Sequence, residues 1–463
     1  MASLPNHAVI DGWLNNANIP TEESWNNSNA HLSSPRTLIT SSHPEKFSLG
    51  TGSQILTKVF SDCLETNHEL IIVTCFWAKS PSQDAISSLL LKLSSKAIAQ
   101  NRKIQVRICF SSRSILQKLF HTSSLDGTIY APPSWPSLGL PSADDLTGIN
   151  LVVKSTFVKP FSVMHPKFIL MDRQLAYIPS ANVSWEGWFE GCVEVRGHIC
   201  ERLFGFWSAF WSRGGASLPP MLFPDSPLEL DTEVAGDIPE LHLIKETLFS
   251  PKSPIPTILL PSSHHINPRF RLPWMSAPEI PHTPLNTFIL HILNTANHNI
   301  FIQSPNFTSP PVLSALVSAL KRGVSVHIVT SSLLMILEQL ATAGTITEFE
   351  VWKLRHQYRN LHKSYQRTLS SDPETQAQKP GILRIGYYCP RQGVAAVMDE
   401  PVKTHLKLTI VDGEVVVLGS GNMDRASWYT SQELGVGFVS KDMASEVKAS
   451  IEEGLDGRVI DYC

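Results

Sequence analysis

The sequence predicts an α/β protein built from two similar halves. Two observations carry that expectation: a polar signature occurs twice, and each copy follows the same helix–strand–helix–strand order. The downstream signature runs THLKLTIVDGEVVVLGSGNMDRASWYTSQE, with His405, Lys407 and Asp412 spaced H-x-K-x-x-x-x-D. Ser420 and Asn422 follow 15 and 17 residues beyond the histidine, and Glu433 follows 28 beyond it. Upstream, His165, Lys167 and Asp172 repeat the spacing, with Ser180 and Asn182 at the same 15 and 17 residues and Glu194 at 29. One chance H-x-K-x-x-x-x-D match in a chain of this length is expected only on the order of a few hundredths of the time. Two copies with shared Ser and Asn offsets point to an internal duplication.

The elements follow in order. Residues 1–44 are rich in Asn, Ser, Pro and Thr and read as a loose N-terminal tail. The first half covers 45–212. Gly50 to Glu65 places Ile55, Leu56, Val59 and Phe60 on one helical face, and ELIIVTCF (Glu69 to Phe76) is a buried strand. Asp84 to Ala99 is an amphipathic helix, and Lys103 to Phe110 alternates as a strand, which makes a β-α-β unit and a parallel pairing. Cys200 to Trp211 is a helix with an aromatic stripe (Phe204, Trp207, Phe210, Trp211). Core packing is the ordinary reading of such a stripe, and contact with lipid is the alternative.

Residues 213–280 are rich in Pro and Ser and read as a connection between halves. The second half, 281–463, repeats the opening pattern: helix at Thr287 to Thr295, strand at Asn299 to Gln303, helix at Pro311 to Lys321, strand at Val324 to Thr330. An insert at 334–380 follows, helical to Gln366 and then polar and disordered. Its helix carries an apolar stripe (Leu354, Tyr358, Leu361, Tyr365) beside a basic row (Arg355, Arg359, Lys363, Arg367). That row suits either phosphates or solvent.

Composition narrows the class. The chain has 463 residues, which calls for two domains or two halves sharing a core. It is 42% hydrophobic and 17% charged, as in a soluble globular protein, and its net charge of −3 gives no global field toward nucleic acid or anionic membranes. Seven cysteines without a C-x-x-C pair read as reduced thiols of an intracellular protein. The first basic residue is Arg36, so neither a secretory signal nor an Arg-rich presequence is expected. No apolar run is long enough to span a membrane, and the expected location is cytoplasmic or peripheral to a membrane.

The chemistry follows from the residue types. In HLKLTIV, alternation puts His405 and Lys407 on one face of a strand, about 7 Å apart at a rise of about 3.3 Å per residue. Asp412-Gly413 is a hairpin turn, and Gly419 and Gly421 let backbone come close to a ligand around Ser420. His, Lys, Asn and Ser together make an anion site. A neutral imidazole attacks phosphorus, a second histidine protonates the leaving alkoxide, and Lys and Asn stabilise charge on the remaining oxygens. Two signatures supply two histidines, and the chemistry requires no metal or other cofactor.

Through HPKFILMD…PSAN…E and HLKLTIVDG…GSGNMDRAS…E the sequence resembles the phospholipase D superfamily, most of all its cardiolipin synthase-like branch. The resemblance covers roughly residues 48–212 and 280–450. It implies two α/β halves, each a mixed sheet flanked by helices, related by a pseudo-two-fold axis around one shared active site. It implies that His165 forms the phosphohistidine and His405 is the general acid. By the same resemblance Lys167, Lys407, Asn182 and Asn422 bind phosphate, with Ser180 and Ser420 beside them. Glu433 orients His165 and Glu194 orients His405, or the reverse. Asp172 and Asp412 are turn or ion-pair residues. The first copy departs from the family pattern at Pro179, at Pro166 and in VSWEGWFEG.

The function implied is phospholipid hydrolysis or phosphatidyl transfer at a membrane interface, by a monomer because both signatures lie in one chain. A nuclease is the alternative: the basic row favours it, and the near-neutral charge disfavours it. A non-catalytic scaffold is disfavoured because both signatures are intact.

Overall fold

In the computed structural model the described residues are 7–16, 35–114, 126–157, 163–219, 243–262, 279–371, 378–391 and 400–463. The polar end of the insert, 372–377, lies outside them, as do residues 1–6 and 17–34 of the expected tail.

The described parts of that tail, 7–16 and 35–44, are ordered, against expectation. Helix α1 (Ala8–Asn16) buries Ile10 and Trp13, and the Trp13 indole stands edge-on to Phe288, 5.3 Å between ring centroids. Strand β1 begins at Ile39 and runs to Thr51. Low charge and scattered polar residues hid these short apolar anchors.

The first half continues with α2 (Gly52–Asp62), β2 (Glu69–Phe76), α3 (Pro81–Ala99), β3 (Ile104–Ser112), β4 (Thr128–Tyr130) and β5 (Ile149–Ser155). Thr51 and Gln54 form a capping box at the start of α2, and Ser80 caps α3 ahead of Pro81. Then come β6 (Phe168–Met171), β7 (Leu175–Pro179), β8 (Trp188–Gly197) and α4 (Ile199–Phe210). The expected connection is not mere linker: it supplies β9 (Lys245–Leu248) and β10 (Ile255–Ser262). Thr257 to Leu260 are buried there because β10 lies between β1 and a strand of the second half.

The second half comprises α5 (Pro284–Thr295), β11 (Asn299–Gln303), α6 (Pro310–Lys321), β12 (Ser325–Thr330), α7 (Ile336–Ala343), α8 (Thr347–Ser371), β13 (Leu383–Tyr388) and β14 (Lys403–Thr404). It closes with β15 (Leu408–Val411), β16 (Val415–Gly419), α9 (Arg425–Tyr429), β17 (Glu433–Val439), α10 (Lys441–Leu455) and β18 (Val459–Asp461).

Strand pairing makes one large mixed sheet, flanked by helices. Its ladder reads β5-β3-β2-β6-β7-β8-β1, crosses at β1–β10, and continues β10-β17-β16-β15-β11-β12-β13. The β5-β3-β2 and β11-β12-β13 trios are parallel, as the β-α-β pattern requires, and the other pairings in the ladder are antiparallel. One core holds residues of both halves, including Phe47, Val193, Leu260, Phe288, Leu406 and Val436. The aromatic stripe of α4 belongs to it: Trp207, Phe210 and Trp211 are buried, and Phe204 lies under the Arg173 guanidinium at 3.5 Å. Core packing is therefore the role of this stripe.

The two signature aspartates hold the sheet together at matching places. Asp172 accepts backbone N–H bonds from Asn67, His68 and Glu69, each 2.8 Å, where the chain enters β2. Asp412 accepts from Asn297, His298 and Asn299 at 2.8, 2.8 and 2.9 Å, where it enters β11. Both sit in tight hairpins with two left-handed residues, Asp172-Arg173 (φ 47° and 54°) and Asp412-Gly413 (φ 52° and 60°). Glycine takes that conformation freely. Arg173 is held there by a two-pronged ion pair to Glu69, at 2.6 and 2.8 Å. Asp172 is buried and Asp412 only partly so. Asp172→Ala is therefore expected to cost about 3 kcal/mol of stability and Asp412→Ala about half as much. Urea denaturation of both variants checks the order, and a larger loss for Asp412→Ala contradicts it.

Candidate active site

Each histidine stands on a short irregular stretch just before a strand, not on the strand itself: His165 before β6 and His405 before β15. The expected regular alternation fails there because the backbone is tied elsewhere. His165 N donates to Gln432 O at 2.9 Å, and both His405 N and Leu406 N donate to Phe189 O, at 2.9 and 3.1 Å. In both cases the carbonyl belongs to the other half of the chain.

The side chains repeat this exchange. His165 Nδ1 lies 2.8 Å from Glu433 Oε2, and His405 Nδ1 lies 2.6 Å from Glu190 Oε1. Ser420 Oγ donates to Glu433 Oε2 at 2.5 Å, and Ser180 Oγ donates to Glu190. Each serine also receives the N–H of the residue after its glutamate, Leu434 for Ser420 and Gly191 for Ser180, both at 3.0 Å. Ser180 and Ser420 thus fix carboxylates.

Glu190, not Glu194, is the counterpart of Glu433. Glu194 lies four residues further along β8, roughly 13 Å at a strand's rise. It pairs with Lys46 at 3.2 Å, near Asp62 and Tyr177, and burial there pushes its carboxyl up to about 7. A nearly equal offset from the histidine, 29 residues against 28, misidentified it. The loop between serine and glutamate is shorter in the first half, where α9 has no equivalent. Strand register would have found Glu190, since Ser180 N bonds Gly191 O as Ser420 N bonds Leu434 O.

The remaining signature residues gather here. Lys167 and Lys407 are buried, and each ammonium donates to the carbonyl of its own histidine, at 3.0 and 2.5 Å. Asn182 Oδ1 accepts from Phe76 N at 3.3 Å, and Asn422 Nδ2 donates to Asp424 Oδ2 at 3.0 Å. Asp424, which sequence reading passed over, also caps α9 through Ser427 N at 2.8 Å. Trp188 stacks at a tilt on His405, 4.7 Å between centroids.

Electrostatics make the site an anion receptor. Burial lowers both imidazoles, only partly opposed by Glu433 and Glu190, and His405 falls to about 3. Burial works against charge on the two glutamates, but the histidines and buried lysines hold both below the ordinary carboxylate range. Each pair is therefore a neutral imidazole donating Nδ1–H to an ionised carboxylate. That tautomer leaves Nε2 with its lone pair. Two ammoniums balance two carboxylates, and each ammonium retains N–H donors for an incoming anion.

The sequence and the fold are similar to those of known proteins. Residues 289–454 match a family model described as cardiolipin synthase, PLD-like domain. Cardiolipin synthase A of Pseudomonas putida is 21% identical over 302 residues, 63% of this chain and 47% of that protein. Another Pseudomonas putida cardiolipin synthase A is 22% identical over 294 residues, 61% and 45% of the two chains. The chain thus spans about half the length of these relatives. The crystal structure of phosphatidylserine synthase from Haemophilus influenzae aligns over 91% of this chain and 89% of that one. The TM-score is 0.52 at 12% identity, a likeness of fold.

Burial of Lys407 has a consequence for stability. Its pKa falls from 10.5 to about 7 because burial disfavours the charge, with Glu190 opposing. Between those values the unfolded chain binds the extra proton, so stability rises with pH across that window. Lys407→Met removes this slope. The variant is expected to gain on the order of a few kcal/mol at most below pH 7, and the gain shrinks as pH climbs toward 10.5. Thermal melts on both sides of the window measure it. A gain that grows with pH contradicts the account.

Proposed function

We propose that the chain is a member of the phospholipase D superfamily and exchanges the phosphodiester of a phospholipid through a phosphohistidine, passing the phosphatidyl group to an alcohol. Its likeness to a cardiolipin synthase, PLD-like domain and to cardiolipin synthase A supports this reading. The observation that carries this reading is the reciprocal pairing of His165 with Glu433 and His405 with Glu190, which leaves two Nε2 atoms beside two buried ammoniums.

The steps follow from those groups. His165, the more accessible ring at 13% against 5% side-chain exposure, attacks phosphorus through Nε2. The bond from phosphorus to the leaving alcohol breaks, and His405 supplies the proton to its oxygen. The negative charge of the bound phosphodiester raises His405 enough to carry that proton. A second alcohol then enters. His405 takes its proton, its oxygen attacks phosphorus, and the phosphorus–nitrogen bond breaks to free His165. Lys167, Lys407, Asn182 and Asn422 hold the non-bridging oxygens. Removing one such donor is worth about a hundredfold or more in rate.

Incubation with head-group-labelled phosphatidylglycerol tests the reading. The expected products are a diphosphatidyl lipid and free glycerol, while release of phosphatidic acid alone identifies water as the acceptor. Turnover of single-stranded DNA without lipid turnover overturns the lipid assignment. His165→Ala is expected to be inactive, and the native chain quenched during turnover is expected to carry a phosphatidyl group on the peptide that holds His165; an adduct confined to the peptide that holds His405 reverses the roles. Glu190→Gln is expected to lose about 10–100-fold in turnover, whereas Glu194→Gln retains it. Equal losses contradict the site as described.

A further inference from the structure

The insert between β12 and β13 carries an exposed face that the proposed chemistry does not use. Three large apolar side chains lead onto and along α7: Leu333 is 66% exposed, Leu337 84% and Leu340 49%. At the start of α8, Phe349 and Trp352 are about half exposed and stack with 5.8 Å between centroids; Trp352 in turn stacks on His356. At about 100° per residue, Phe349, Trp352, His356, Arg359, Lys363 and Arg367 fall within about 80° of the circumference of α8. One stripe, roughly 27 Å long, is thus aromatic at one end and basic at the other. Leu354, Tyr358 and Leu361 hold the opposite side of the helix against the core.

Charge along α8 is one-sided. From Val351 to Ser371 there are five Lys and Arg residues and no Asp or Glu. The acids of the first turn face other partners: Glu350 pairs with Lys353 at 2.9 Å, and Glu348 accepts from Leu333 N at 2.5 Å. Leu333 and Met335 adopt left-handed conformations (φ 54° and 52°), which large side chains rarely do, and Leu333 N is held by the Glu348 carboxylate.

The insert is rooted beside the catalytic groups. Ser331 Oγ bonds Thr404 O and N, at 2.8 and 3.0 Å, one residue before His405. Gln339 of α7 donates to Asn306 at 3.1 Å, and Asn306 donates to Asp424, the partner of Asn422. The root of this face is therefore tied to residues that adjoin His405 and Asn422.

We propose that the outer face of α7 and α8 docks on an anionic phospholipid membrane, the leucines and aromatic rings entering the interface and Arg359 and Lys363 meeting lipid phosphates. Exposed apolar groups beside a stretch of α8 that has five cations and no acid match that surface on both counts, and the exposed Glu338 of α7 is an acid set among the leucines. The proposal rests on the lipid reading of the site only for the choice of occupant.

Co-sedimentation with vesicles of phosphatidylcholine containing about one third phosphatidylglycerol tests it. The native chain is expected to bind, more weakly at high salt. Leu337→Ser with Trp352→Ser, and separately Arg359→Glu with Lys363→Glu, are each expected to lower vesicle affinity about 30-fold or more. Turnover of a dispersed short-chain phospholipid stays unchanged in both. Failure of the native chain to bind overturns the proposal, as does undiminished vesicle binding by either variant. Loss only of self-association or of DNA binding in the variants assigns the face to a second copy or to nucleic acid, and likewise overturns it. Vesicle binding without turnover of any phospholipid leaves the docking face standing and removes the proposed function instead.

Discussion

The exchange of partners between halves is the constraint on which the rest of this molecule depends. His165 reaches across to Glu433, and His405 reaches back to Glu190. Their backbones cross the same boundary, to Gln432 and to Phe189. Neither histidine can be oriented by its own half. The β1–β10 junction and the core that straddles it follow from that requirement, because two carboxylate–imidazole contacts tolerate little relative movement between halves.

The site is expensive to bury. Two ammoniums, two carboxylates and two imidazoles are taken out of water with few direct ion pairs to the lysines. Such a cluster is retained for what it does to an anion, since apolar residues in the same space would fold at least as well. Desolvation keeps both imidazoles neutral and disfavours charge on both lysines, so that a bound phosphate, by restoring that charge in a place with little competing water, is held strongly. The signature aspartates play a different part. They sit at the far end of each hairpin, holding the entry to β2 and β11, and support the strands without facing the reaction.

Much of this was legible in the residues. Duplication, the parallel β-α-β trios and most signature residues follow from spacing and periodicity. An overlooked repeat would have added more: Asn67-His68 and Asn297-His298 precede β2 and β11 and bind the two aspartates alike. Glu190 was missed because spacing counts residues, whereas a sheet sets position by register, and a shorter loop breaks the count. The role of β10 was hidden because a strand shared between halves has no local signature beyond a short apolar run in a Pro-rich segment. The irregular backbone at both histidines was equally hidden, being imposed by bonds from the opposite half.

The crossed pairing is tested most directly by the imidazole Nδ1 protons, which resonate far downfield when held against a buried carboxylate. With selectively labelled histidine, the account predicts that Glu433→Gln removes or shifts the His165 signal alone. Glu190→Gln does the same for His405 alone, and Glu194→Gln disturbs neither. A His405 signal that answers to Glu194, or a histidine indifferent to the carboxylate of the opposite half, contradicts the shared site.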